Sequence, residues 1–242
     1  LESLLGNYVA QALLERGARV RIASRNPDKA FKLKPLANLG QIQFARCNAA
    51  DRTSVERSIS GADAVVNLIG AFDGNLRRLM GEAPGWMAEA AASTGARAFV
   101  HVSAIAPEPD EDAEIEYAAA KRLGEKQVLA VFPKATILRP SIVFGKDDKF
   151  INMFAGLISN LPVLPVFAPD AKLQPVYVDD VAEAAVRALE QPDVFGGKIY
   201  ELGGPEQLSM MDINRAIAEA QYRDRSFLPM PDAISAIFAA LP

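Results

Sequence analysis

Apolar and polar positions change their period repeatedly along the chain. Residues 5–16 set apolar side chains three and four apart, which predicts an amphipathic helix with Gly17 as its C-cap. Val20–Ser24 then reads as a buried strand. Four later runs, 42–48, 64–70, 98–104 and 135–143, are nearly continuous in apolar or β-branched residues. Such runs suit strands whose two faces are both covered by helices. Helical stretches fall between them near 52–60, 76–95 and 114–131, with Asp51 as N-cap of the first and Gly95 as C-cap of the second. This alternation predicts an α/β fold, a doubly wound parallel sheet of the Rossmann kind.

After Gly145 the pattern loosens. "FGKDDKFINMFAGLISNLPVLPVFAPDAKLQ" carries three prolines among irregular apolar clusters. A strand-like "PVYV" leads into a helix at 180–190, and "KIYELGGPEQLSMMDINRAIAEA" gives a strand, a turn and a helix. The division expected is therefore a Rossmann domain over 1–145 and a small discontinuous C-terminal lobe over 146–242, interleaved with the last sheet strands. Ligands of doubly wound sheets bind at the carboxyl ends of the strands, so the lobe is expected to wall that crevice. The tail "FLPMPDAISAIFAALP" predicts a short helix with a wide apolar face, read first as core packing and otherwise as a partner or membrane surface.

Composition narrows the function classes. Half of the 242 residues are apolar and 23% are charged, the balance of a soluble globular chain. No apolar run reaches the roughly 18 residues of a spanning helix, and the N-terminus lacks a signal-peptide pattern. A net charge of −4 argues against a nucleic-acid partner. The single cysteine, Cys47, excludes an internal disulfide and a Cys-rich metal site. His101, the one histidine, lies inside the apolar run "AFVHVSA" and reads as a satisfied core residue.

Two features carry chemistry. Arg25 follows the first strand-like run, where a dinucleotide fold meets the adenosine ribose. An acid there accepts from both ribose hydroxyls of NAD, whereas arginine pairs with the 2′-phosphate of NADP. Tyr117 and Lys121, in "EYAAAKRLGE", stand four apart and so share a helix face. An ammonium beside a phenol favours the phenolate and lowers its pKa toward proton transfer with a carbonyl or hydroxyl.

With these residues placed, the chain resembles an extended short-chain dehydrogenase/reductase of the NAD-dependent epimerase/dehydratase superfamily. "GADAVVNLIGA", "AFVHVSA", "YAAAKRLGE", "ATILRPSIVFGKDDKF", "QPVYVDDVAEAAVRALE" and "YELGGPEQLS" follow that family's order and spacing from residue 6 to about 210. "VNLIG", "FVHVS", "LRPSIVFGKDDKFINMFA" and "KLQPVYVDDVA" resemble its atypical branch, which contains the nucleotide-binding accessory subunit of respiratory complex I (the alpha subcomplex subunit nine family). The resemblance implies that Gly6 is the last glycine of the pyrophosphate loop and Arg25 the 2′-phosphate residue. It implies that Asn48 and Ala49 edge the adenine, and that Leu68, Ile69 and Gly70 line the ribose and pyrophosphate. Tyr117 and Lys121 match the catalytic pair, Lys121 also reaching the nicotinamide ribose; Pro140, Ile142 and Val143 flank the nicotinamide.

Departures from the family pattern bear on activity. Where active members hold a catalytic hydroxyl, this chain has Ala104, with Ser103 one place earlier and expected on the other face of the strand. The link "PEPDEDAEIE" is short and acidic, which reduces the space for a bulky substrate. The expectation is an NADP(H)-binding relative of the complex I subunit whose nucleotide is structural, with weak or no turnover. Its partners would be complex I subunits, and its location cytoplasmic or on the cytoplasmic or matrix side of an inner membrane, with peripheral contact at most. The alternatives are a free-standing NAD(P)-dependent reductase, epimerase or dehydratase using Tyr117, Lys121 and Ser103, and a nucleotide-sensing regulatory protein. Counting back in threes from Gly6 puts a glycine where Ser3 stands and another before Leu1. A first strand and glycine loop are therefore expected ahead of residue 1, and the family pattern continues past Pro242.

Overall fold

The computed structural model describes residues 4–105 and 116–231. The acidic link over 106–115, the apolar helix expected in the tail, and Ser3 lie outside these described residues. In chain order come α1 (Leu4–Glu15), β1 (Val20–Ser24), a 3-10 stretch (Pro27–Leu36), β2 (Ile42–Arg46), α2 (Arg52–Ile59) and β3 (Ala64–Asn67). A π-helical turn (Arg77–Glu82) runs into α3 (Ala83–Ser93), followed by β4 (Ala98–Val102), α4 (Glu116–Val131) and β5 (Thr136–Pro140). Next are β6 (Val143–Phe144), α5 (Phe150–Asn160), β7 (Val163–Val166), β8 (Lys172–Leu173) and β9 (Val176–Tyr177). The remaining elements are α6 (Val178–Glu190), α7 (Pro192–Phe195), β10 (Ile199–Leu202), β11 (Leu208–Ser209), α8 (Met210–Ala220) and β12 (Ser226–Pro229). They divide into two compact units, Leu1–Pro140 with Val178–Leu202, and Ser141–Tyr177 with Gly203–Pro242.

The first unit is a parallel α/β structure of the Rossmann kind. β10, β5, β4 and β3 form a four-stranded sheet in that order, every neighbour parallel, and β1 pairs with β2 in a second parallel piece. Among the described residues β1 pairs only with β2 and β3 only with β4. One face of the larger sheet meets α6, which also packs against α1. Phe99 and Ile137, from β4 and β5, join Val55, Ala88, Ala91 and Val128 of α2, α3 and α4 in a core on another side. β4 is buried at all five positions, as its unbroken apolar run requires.

Local chemistry explains the helix ends. α1 stops because Gly17 adopts φ +78°, letting its N–H reach Leu14 O at 2.9 Å and that of Ala18 reach Leu13 O at 3.0 Å. Asp51 caps α2 by accepting the Thr53 N–H at 3.1 Å. The regular helix expected near 76–95 is not regular: its first turn is π, and Gly81 there lies against Leu123 of α4. A Cβ on Gly124 would collide with the Met80 carbonyl oxygen, so α4 approaches this turn only because that position is glycine.

The second unit holds α5 and α8 around Ile158, Leu164, Ile213 and Ile217. β7 pairs parallel with β12, β6 parallel with β9, and β8 antiparallel with β11. A reciprocal capping box starts α8, in which Ser209 Oγ accepts the Asp212 N–H at 3.0 Å and the Asp212 carboxylate accepts the Ser209 N–H at 3.1 Å.

Candidate functional site

The site grows from the end of β3. Asn67 is buried there, and its Oδ1 accepts the Ile69 N–H at 3.0 Å, forming a tight turn beyond the strand. Its Nδ2 lies 2.9 Å from Nδ1 of His101 in the neighbouring strand β4. Burial pushes the His101 pKa down to about 3, with the Lys121 charge acting in the same direction, so the ring is neutral at physiological pH. With the Asn67 amide donating to Nδ1, the network assigns the ring proton to Nε2. Nε2 has no partner among the described residues, so this core histidine is satisfied at one nitrogen only.

α4 brings three residues of one face to this turn, four apart: Tyr117, Lys121 and Glu125. The buried Lys121 Nζ donates to Ile69 O at 3.1 Å and Val102 O at 3.2 Å. Burial lowers its pKa to about 8, opposed by the nearby Glu125 charge. Glu125 is itself held by Arg139 of β5 through two bonds of 3.0 and 2.7 Å, and Glu201 of β10 stands 3.7 Å from the same guanidinium. Tyr117 is half-buried and its ring stacks on the exposed Phe72, 5.3 Å apart and 9° from parallel.

One expectation needs correction. The Tyr–Lys spacing suggests a phenol lowered by its lysine, but burial pushes the Tyr117 phenol up. The ammonium is 5.9 Å from the Tyr117 ring centre and is bonded to two carbonyls. Ser103, proposed as a stand-in hydroxyl beside Ala104, has its Oγ buried without a partner among the described residues.

The remaining predicted residues belong to other strand ends. Arg25 directly follows β1, is exposed, and forms no hydrogen bond or ion pair with any described residue. Past β2, Asn48 Oδ1 accepts the Ala50 N–H at 3.1 Å, while the Asn48 N–H donates to Ser54 Oγ at 3.0 Å, so the side chain shapes the entry to α2 beside half-buried Ala49. Arg78 Nε donates to Ala50 O at 2.8 Å and ties this loop to the π turn. Leu68 and Ile69 are half-buried, and Gly70 is exposed with open space where a Cβ would stand. Gly6 is buried in the first turn of α1. Pro140 ends β5 in the first unit, whereas Ile142 and Val143 belong to the second.

Hydrogen bonds thus join Ile69 and Lys121 to Asn67 and His101, and a separate ring stack pairs Tyr117 with Phe72; Asn67, His101 and Phe72 are the residues that sequence reasoning missed as site members. An amide closing the otherwise apolar "AVVN" was the available signal for Asn67. A polar depression of about 440 Å³, lined by Lys172, Ser209, Asp212 and Arg215 among others, lies in the second unit and shares no residue with this cluster. Among the described residues no group of His, Cys, Asp and Glu could hold a metal ion.

Residues 2–203 match the NAD dependent epimerase/dehydratase family. NADH dehydrogenase [ubiquinone] 1 alpha subcomplex subunit 9, mitochondrial, of Dictyostelium discoideum is 34% identical over 206 residues, covering 83% of this chain and 56% of that protein. The ceramide reductase of Caulobacter vibrioides is 28% identical over 192 residues, covering 78% and 58%. The chain therefore spans less than two thirds of either relative. The crystal structure of UDP-glucose 4-epimerase from Thermotoga maritima superposes with a TM-score of 0.77 over 95% of this chain and 83% of that one. At 17% identity that likeness shows the fold alone.

Proposed function

The chain belongs to the NAD dependent epimerase/dehydratase family, and on that premise we propose that it holds NADP(H) as a structural ligand, with weak or no turnover. The residues fit such a group. Arg25 is an uncommitted guanidinium at the end of β1, suited to the 2′-phosphate that distinguishes NADP from NAD. The open space at Gly70 lets a ligand approach the backbone, and Leu68 and Ile69 offer apolar walls. Gly6 of α1 is the helix-end glycine for the pyrophosphate, and Asn48 with Ala49 edges the adenine. Pro140, Ile142 and Val143 are assigned to the nicotinamide side. Bound NADPH supplies hydride-transfer chemistry; the protein's part is to bind, to orient and to hold a proton on Tyr117.

The observation that carries the structural reading is the poverty of the proton-transfer machinery around Tyr117. Ala104 supplies no hydroxyl, Ser103 Oγ is buried, and Tyr117 is raised rather than lowered in pKa. The likeness to the mitochondrial alpha subcomplex subunit 9 supports complex I subunits as partners; the location proposed with them is cytoplasmic or inner-membrane-associated on the cytoplasmic or matrix side. No helix among the described residues is long and apolar enough to cross a membrane; the membrane contact proposed is peripheral at most. Titration of the purified protein with NADPH and NADH, followed by an assay for turnover, tests this. Tight NADPH binding without turnover supports it; turnover abolished by Tyr117→Phe overturns the structural role.

A second reading is a free-standing NAD(P)-dependent reductase, epimerase or dehydratase. The shared face of Tyr117 and Lys121 and the likeness to a ceramide reductase favour it. Co-purification separates the two: recovery with complex I subunits supports the first, and a free protein with turnover supports the second.

A further inference from the structure

Both peptide groups of Ile69 are held by buried side chains, its N–H by Asn67 Oδ1 at 3.0 Å and its carbonyl by Lys121 Nζ at 3.1 Å. Asn67 can take that N–H only with its amide oxygen toward the turn, and its nitrogen then needs an acceptor. His101 Nδ1 is that acceptor, 2.9 Å away. A flipped amide would set a donor against the Ile69 N–H and leave both without a partner. We propose that His101 is a positioning residue: its Nδ1 lone pair locks the Asn67 amide, and through it the 68–70 turn, in the shape that receives the dinucleotide. Nε2, the other ring nitrogen, carries the proton and has no partner among the described residues, so the Asn67 amide is the one side-chain partner the ring meets there. The ligand side of the proposal rests on the NADP(H) reading above; the lock itself does not.

Amide hydrogen exchange in the full chain reads the lock directly, comparing Ile69 with Ile137 in the core of β5. His101→Leu is expected to speed exchange at Ile69 by about tenfold relative to Ile137, the loss of one hydrogen bond's protection. An unchanged ratio overturns the proposal. His101→Leu also orphans a buried amide and lowers the melting temperature, so Asn67→Leu/His101→Leu is made beside it. Removing both side chains takes away the orphaned amide nitrogen but also the acceptor of the Ile69 N–H, so only part of the melting temperature returns, whereas the NADPH dissociation constant stays raised by about tenfold. Recovery of affinity together with melting temperature reduces the pair to packing and overturns the proposal. Should the wild type take up no NADPH, the NADP(H) reading fails while the Ile69 exchange ratio still decides the lock.

Discussion

Lys121 is asked to be charged and buried together. It meets both demands by donating to two carbonyls with Glu125 nearby, and its pKa still falls to about 8. Its folded-state value lies below the 10.5 of an unperturbed lysine. Between about pH 8 and 10.5 the unfolded chain therefore keeps a proton that the folded chain has lost, and this residue's contribution to stability rises with pH. Denaturant unfolding at pH 7 and pH 10 checks the sign: the wild type should gain on Lys121→Met over that interval, and a loss would contradict it. Arg25 makes the opposite case, a cation with no protein partner among the described residues. Arg25→Ala should weaken NADPH by about tenfold or more and NADH by less than about threefold, as loss of one charge-assisted bond predicts. Titration calorimetry with both nucleotides measures this, and equal losses remove Arg25 from the 2′-phosphate.

At the level of helices and strands, much was legible in the sequence because the signals are local. Gly17, Asp51 and Gly95 mark helix ends by backbone freedom or a capping oxygen, and "AFVHV" announces a strand covered on both faces. What stayed hidden depends on distant partners. Asn67 and His101 are 34 residues apart, and nothing near either one names the other. The 3-10 stretch at Pro27–Leu36 and α5 also escaped, since prolines and irregular apolar clusters obscure the helical period. The π turn was invisible because its one glycine, Gly81, is explained only by Leu123 of α4 lying against it. Gly124→Ala should therefore push α4 off the Met80 carbonyl and cost about 1–3 kcal/mol, an overpacking penalty. A melting temperature within experimental error of the wild type would show that α4 shifts freely. Glu125→Gln removes one partner of a largely buried ion pair and should cost on the order of 2 kcal/mol in denaturant unfolding, between the surface and fully buried cases.

The molecule as a whole combines a family fold, a turn whose carbonyl and N–H are both clamped, and a tyrosine whose phenol is pushed up by burial. A ligand that stabilises rather than reacts makes sense of that combination, because binding to the folded state alone adds stability by mass action. NADPH at a hundredfold excess over its dissociation constant contributes about 2.7 kcal/mol. The most direct test is the melting temperature of the purified chain with and without NADPH, with NADPH oxidation followed over the same incubation. The account predicts a clear rise that saturates with NADPH, is smaller with NADH, and comes without oxidation. An unchanged melting temperature, or oxidation that Tyr117→Phe abolishes, would contradict it.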